Sequence, residues 1–224
     1  MRTSIIIPAF NEAQSIAEVL SAIPPRIAHE VIVVDGGSTD STVEIARAQG
    51  ATVITESRRG YGWACQFGSE YATGEILVFM DADGANNPGQ IPALIQPIQS
   101  ESTDMVLGSR LAGTVSGDAM PWHQYFGNWL CAGLIRRLYG FPLTDLSPFR
   151  AVKRDKLCAL DIQDKTYGWP TEVLVKAIRQ GWAIKEVPVD ARSRIAGASK
   201  ISGTIHGSYR AAVHILAVIF QYVL

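Results

Sequence analysis

The chain has almost no cysteine. Cys65, Cys131 and Cys158 are the only three in 224 residues, an odd number, widely spaced and without a CxxC pair. That argues against a disulfide framework or a thiolate zinc site and fits a reducing cytosol. Net charge is nearly absent too. Twenty Lys and Arg against 21 Asp and Glu leave −1, so no global field draws the chain to nucleic acid. No run is long enough to cross a bilayer: the most apolar stretch, Ala211–Leu224, has 14 residues and is interrupted by His214 and Gln221, short of the roughly 20 that a spanning helix needs. The opening MRTSIIIPAFNE holds too short an apolar run for a signal peptide. Glycine loops for nucleotides are missing as well. The first apolar run ends in PAFNE rather than GxGxxG, and GxxxxGK[ST] occurs nowhere, which counts against a nicotinamide dehydrogenase or a P-loop kinase.

What remains is a chain with 47% hydrophobic and 18% charged residues, enough for one domain with a sizeable core. Short apolar runs alternate with helical patterns. SIIIPA, EVIVVDGG, ATVITES, EILVFM and DMVLGS read as strands. Between them lie segments with helical spacing, such as Ile16, Val19, Leu20 and Ile23, and a helix from Ser38 or Thr39 to Gly50. This rhythm predicts an α/β fold with a mostly parallel sheet flanked by helices. After Arg110 the rhythm breaks into a Gly/Pro-rich loop, a long helix over Trp122–Tyr139, a short strand in SPFRAVKRD, a helix in PTEVLVKAIRQG, a strand in AIKEVPVDARSR and a final helix from Gly203.

Parallel sheets collect ligands at the carboxyl ends of their strands. The polar residues there are Asn11 and Glu12, Asp35, Asp81 and Asp83, and Arg110. The segment ILVFMDADG buries a strand and then ends it in two acids whose side chains share a face. A hard cation offsets that repulsion, and Mg²⁺ or Mn²⁺ binds through one or two carboxylates plus substrate phosphates; the alternative is an Asp83 turn cap beside a solvated Asp81. Asp35 can hold a nucleoside or simply turn the chain before Gly36 and Gly37. Arg192, Arg194 and Lys200 sit in a small-residue loop suited either to phosphates or to solvent. Glu172, in the first turn of a helix near Pro170, serves the helix dipole or acts as a general base. His123 reads mainly as a helix-start residue, and the apolar tail lies on a membrane, meets a partner or caps the core.

Taken together, IIIPAFNE, VIVVDGGSTDST, RRGYGWACQFG, DADG, GSR, SPFRAV and EVPVDARSRIAGASK stand in the order found in family 2 glycosyltransferases with a GT-A fold. Over residues 3–203 the chain resembles the dolichol/polyprenol-phosphate mannosyltransferase-like branch. The resemblance implies a Rossmann-like sheet and an inverting, Mg²⁺- or Mn²⁺-dependent transfer of a hexose from a UDP- or GDP-sugar. It implies a polyprenyl phosphate or other phosphate-bearing acceptor; a soluble hydroxyl acceptor and a lapsed nucleotide-binding protein are the alternatives. It assigns Pro8, Ala9, Glu12 and Asp35 to the base and ribose, with Gly60 and Gly62 nearby. Asp81 and Asp83 go to metal and diphosphate, and Arg110, Arg194, Ser199 and Lys200 to donor or acceptor phosphates. Asp83, Arg194, Lys200 and Glu172 are the expected catalytic set. Residues 1–110 would form the donor half, 111–203 the acceptor half and 204–224 an apolar helix. That helix would meet a membrane surface or a second copy, so that a cytoplasmic protein lies peripherally on the membrane. The chain departs from the branch at Ala85, where relatives carry a polar residue able to join the metal, so Asn86 or water must replace it. It also has SPFR, Ser147–Arg150, in place of SGFR.

Overall fold

The computed structural model describes residues 1–100, 102–117, 119–196 and 205–223, without the side chains of 205–210. Seven strands form one sheet: β1 (Thr3–Ala9), β2 (Glu30–Asp35), β3 (Thr52–Thr55), β4 (Ile76–Phe79), β5 (Met105–Ser109), β6 (Arg150–Lys153) and β7 (Ile184–Pro188). Their order is β3-β2-β1-β4-β6-β5-β7. All neighbours are parallel except β6, which runs antiparallel to both β4 and β5. Strand order reverses at β1, with β2 on one side and β4 on the other, which makes the crevice above them the topological switch point.

Successive strand residues face opposite sides, and both faces are covered. Ile6, Val34, Leu77, Phe79 and Leu107 pack with α3 (Tyr61–Tyr71), α5 (Trp122–Tyr139) and α7 (Trp169–Arg179). Ile5, Ile7, Val33, Val78 and Val106 pack with α1 (Ile16–Ser21), α2 (Thr42–Ala48) and α4 (Ile91–Ser100). This double covering explains why the central strands read as unbroken apolar runs. α6 (Arg154–Ala159) follows β6 directly.

Two local outcomes shape the site. The turn after β1 uses no glycine: Asn11 takes a left-handed φ of 52°, a conformation asparagine tolerates better than most residues. Its amide donates to Ser38 Oγ (2.9 Å), and its Oδ1 accepts from the Thr39 N–H (2.8 Å). Ser38 and Thr39 are therefore occupied, and α2 starts later than predicted, at Thr42, whose N–H donates to Asp40 Oδ1.

The last helix, α8 (Ile205–Gln221), caps the core. Ala211, Val218 and Ile219 are buried, Tyr139 Oη donates to the Ile219 carbonyl (2.6 Å), and Arg179 to the Tyr222 carbonyl (2.7 Å). Of the three roles open to the apolar tail, core capping is the one its contacts support.

Candidate active site

A cleft of about 920 Å³ opens at the carboxyl edge of the sheet. β1 contributes Pro8, Ala9 and then Glu12; the β3–α3 loop contributes Glu56, Arg58 and Gly60; the end of β4 brings Asp81 and Asp83. Arg110 follows β5, Pro170 and Thr171 come from α7, and Arg194 reaches in from the far side. Residues distant in sequence meet here because parallel strands all finish at this edge.

Asp83 is mostly buried. Its Oδ1 accepts the Ala85 N–H (2.8 Å), which is the turn cap, while Oδ2 lies 2.6 Å from the Arg194 guanidinium. The capping and the ligand readings of Asp83 are thus compatible, one oxygen serving each. Arg194 also stands 3.7 Å from Glu12 Oε1 and so bridges two acids. Its Nε is buried without a hydrogen-bond partner. Burial and the neighbouring Asp83 push the Asp81 carboxyl up to about 7, against the pull of Arg110 and Arg194. A group in that state gains a counter-charge readily.

The loop carrying Arg194 is fastened to the DADG turn. The Arg192 N–H donates to the Ala85 carbonyl (3.1 Å) and the Ile195 N–H to the Asp83 carbonyl (3.0 Å). Gly84 has a φ of +82°, and a Cβ there would come within 2.4 Å of Ile195 Cδ1. Only glycine satisfies both the backbone and the contact.

Beneath the acids lies a second charged layer. Arg110 forks onto Asp145, Nε to Oδ2 (2.8 Å) and Nη2 to Oδ1 (2.7 Å), with Asp145 fully buried. Arg150 is 1% exposed and donates to the Ser147 and Pro170 carbonyls, its Nε unpaired. Antiparallel β6 brings it there: the strand's first residue falls opposite Phe79 and Leu107 near the carboxyl edge. Burial lowers its affinity for a proton, countered by Tyr61, Cys65, Asp145 and Asp81.

Several expected residues are placed elsewhere. Glu172 is 1% exposed and turned away from the cleft. Its oxygens accept from the Gln163 N–H (2.9 Å), Asp164 N–H (2.6 Å), Tyr222 Oη (2.7 Å) and Lys176 (2.7 Å). Burial would raise its carboxyl, but these bonds outweigh burial and lower it. This is an anchor, and the geometry does not suit a base. Asp35 turns its carboxylate onto the Gly37 and Ser38 N–H groups (both 3.1 Å), the turn-forming alternative, with adjacent Gly36 lining the cleft. Gly62 is a packing glycine, since a Cβ would lie 2.5 Å from the Lys165 backbone, whereas Gly60 does line the cleft. Asn86 spends its Oδ1 on the Asp81 N–H (2.8 Å) and is buried, so it is not oriented as a further metal ligand. His123 is exposed at the start of α5. Ser199 and Lys200 lie outside the described residues.

Sequence reading missed Glu56, Arg58 and Phe10. Glu56 follows the end of β3 as Asp35 closes β2, so the strand-end rule points to it. It is 4% exposed and clamped by Arg58 through Nε (2.8 Å) and Nη2 (2.6 Å), while Arg58 covers the Trp63 ring at 3.7 Å.

Among the described residues no three His, Cys, Asp or Glu gather closely enough to hold a metal by themselves. Two carboxylates at the edge of this cleft nevertheless suit a hard cation that completes its shell with ligand oxygens and water.

The doubly wound sheet, with acids at its switch point and a basic rim, agrees with the GT-A fold of the glycosyltransferases to which the chain is similar. The chain belongs to glycosyl transferase family 2, whose family model matches residues 4–159. It is 36% identical over 205 residues to an uncharacterised glycosyltransferase of Mycobacterium tuberculosis, spanning 92% of each chain. It is 32% identical over 224 residues to the undecaprenyl-phosphate mannosyltransferase of Micrococcus luteus, spanning 92% of this chain and 90% of that one. In structure it is similar to glucosyl-3-phosphoglycerate synthase from Mycobacterium tuberculosis in complex with Mn²⁺, uridine diphosphate and glucosyl-3-phosphoglycerate. The TM-score is 0.80 at 25% identity, over 99% of this chain and 79% of that one.

Proposed function

We propose that this glycosyltransferase moves a hexose from a UDP- or GDP-sugar, with inversion, onto a phosphate oxygen of its acceptor, a polyprenyl phosphate being the favoured one. The observation that carries this reading is that each acid along the described cleft is already taken up by an arginine or by the carboxylate pair suited to the cation, which leaves none over to serve as a base. Glu12 and Asp83 face Arg194, Glu56 is clamped by Arg58, and Asp81 stands beside Asp83; Glu172 is committed elsewhere. A hydroxyl nucleophile needs a base within hydrogen-bond reach. A phosphate monoester, with its second pKa near 6, arrives largely ionised and needs only cations to place it.

Asp81 and Asp83 would hold the divalent cation, which when bound neutralises the diphosphate as it leaves. Arg194, released from Asp83, would then be free to bind phosphate, and Arg110, locked in position by Asp145, would supply a fixed positive charge. Pro8, Ala9 and Glu12 border the space for the nucleoside. In the transfer, the bond from the anomeric carbon to the donor phosphate oxygen breaks and the bond to the acceptor phosphate oxygen forms. The mannosyltransferase relative supports a lipid phosphate. The glucosyl-3-phosphoglycerate complex supports a second reading, in which a small soluble phosphate ester accepts through its hydroxyl.

The test is transfer from radiolabelled UDP- and GDP-hexoses with Mn²⁺ or Mg²⁺. Acceptors are polyprenyl phosphate in detergent, the matching polyprenol, phosphoglycerate and none. Product with polyprenyl phosphate alone is expected, and chelation abolishes it. Equal transfer to polyprenol would refute the phosphate nucleophile.

A further inference from the structure

α5 packs Cys131, Ala132 and Ile135 against the core. Its opposite face is not the polar one that a surface helix usually presents. Trp122, Tyr125, Phe126 and Trp129 are 80, 50, 55 and 52% exposed. Their spacing places them on one side of the helix, and the Phe126 and Trp129 rings stack with centroids 5.9 Å apart. At about 200 Å² per aromatic side chain, the four leave roughly 500 Å² of apolar surface in water, near the upper end for a monomeric protein.

Charge along this face has one sign. α5 holds Arg136 and Arg137 in its last turn, both exposed, and no acid. No Asp or Glu occurs between Ala119 and Pro142, nor anywhere after Asp190. No helix among the described residues is long and apolar enough to cross a membrane. Tryptophan and tyrosine concentrate where one side is apolar and the other wet, and nearby arginines favour anionic headgroups. A second copy of the chain is a poorer match, because a stable protein interface buries about 800 Å² on each partner.

We propose that the outer face of α5 docks in the headgroup layer of a bilayer containing anionic lipid. The helix lies along the surface, rings inward and Arg137 among the phosphates, as interfacial amphipathic helices do. Pro121 and Gln124, at the same end as the rings, line the cleft, so docking brings the cleft mouth to the lipid surface. Docking needs neither donor nor acceptor, so its failure and the failure of the proposed transfer are read separately.

The full chain is floated with vesicles of phosphatidylcholine alone and of phosphatidylcholine with phosphatidylglycerol. Strong flotation only with the anionic vesicles is expected, weakening as salt is added. Combining Trp122→Ser, Phe126→Ser and Trp129→Ser should weaken it at least tenfold, and Arg137→Glu several-fold, with circular dichroism unchanged. No flotation of the unaltered chain would overturn the proposal, as would undiminished flotation of the triple variant. So would light scattering that shows a dimer dispersed by the three serines without any vesicle binding; the face would then join two copies.

Discussion

Replacing Asp81 with asparagine should make the metal-free protein more stable, by an amount that depends on pH. In the folded chain the carboxyl is pushed from an ordinary 3.8 to about 7 by burial and by Asp83. About three pH units at 1.36 kcal/mol each set an upper limit of roughly 4 kcal/mol. Asp81 keeps some contact with solvent, and screening reduces this to about 2 kcal/mol. The sign follows from linkage: the folded state holds this proton more tightly than the unfolded chain. The cost of ionising Asp81 is therefore absent below pH 4, grows between pH 4 and 7, and is complete above 7. Asparagine removes that cost while leaving the backbone N–H bond to Asn86 in place. In a domain of this size 1 kcal/mol moves Tm by about 2–4 °C. Thermal melts in chelator should thus show Asp81→Asn ahead by roughly 4–8 °C at pH 8 and by almost nothing at pH 4. Saturating Mn²⁺ with nucleoside diphosphate should reverse the order, since only the unaltered site gains the binding energy. A gain independent of pH, or a loss at pH 8, would refute the electrostatic account of the site.

Three further outcomes follow from the contacts described. Glu172→Gln should lower Tm by an amount equivalent to about 1–3 kcal/mol while kcat stays within a few-fold; a loss of kcat of three orders of magnitude with the fold intact would restore Glu172 as a base. Gly84→Ala should cost about 1–3 kcal/mol for its left-handed backbone, and displacing Ile195 should weaken nucleotide binding; calorimetry checks this, and an unchanged affinity would separate the Arg194 loop from the donor site. Arg194→Ala should abolish most transfer; full activity in the variant would exclude Arg194 from the chemistry.

The strands, the acid pair and the order of helices were legible because each rests on local pattern. A run such as Ile76–Phe79 is apolar on both faces only if both are covered, and the acids that end it mark the ligand edge. What escaped was set by tertiary partners. Glu172 looks like a first-turn acid until Tyr222, fifty residues on, donates to it. Asp35 fits both of its readings until the Gly37 and Ser38 amides close on it. Arg150 stands in the sequence as a cation after SPF that could hold an acceptor phosphate, yet the direction of a four-residue strand, which no residue pattern encodes, buries it under the cleft.

That reversed strand also governs the order of assembly. β4 and β5 are consecutive in the sheet's parallel series but do not pair with each other; each pairs with β6, made some forty residues after β5. A nascent chain released only as far as Ser109 therefore leaves one edge of β4 and both edges of β5 open, strands of four and five residues, the kind of edge that recruits other chains. Closure waits for a long-range contact and is correspondingly slow. A fragment ending near residue 110 would hold most of the acids of the cleft but neither the strand that joins its two half-sheets nor Arg150, and it should aggregate rather than fold. The ribosome, by releasing β6 late, delivers the sheet's keystone and the buried cation together, so the cleft acquires its charged floor only at the moment the sheet becomes continuous.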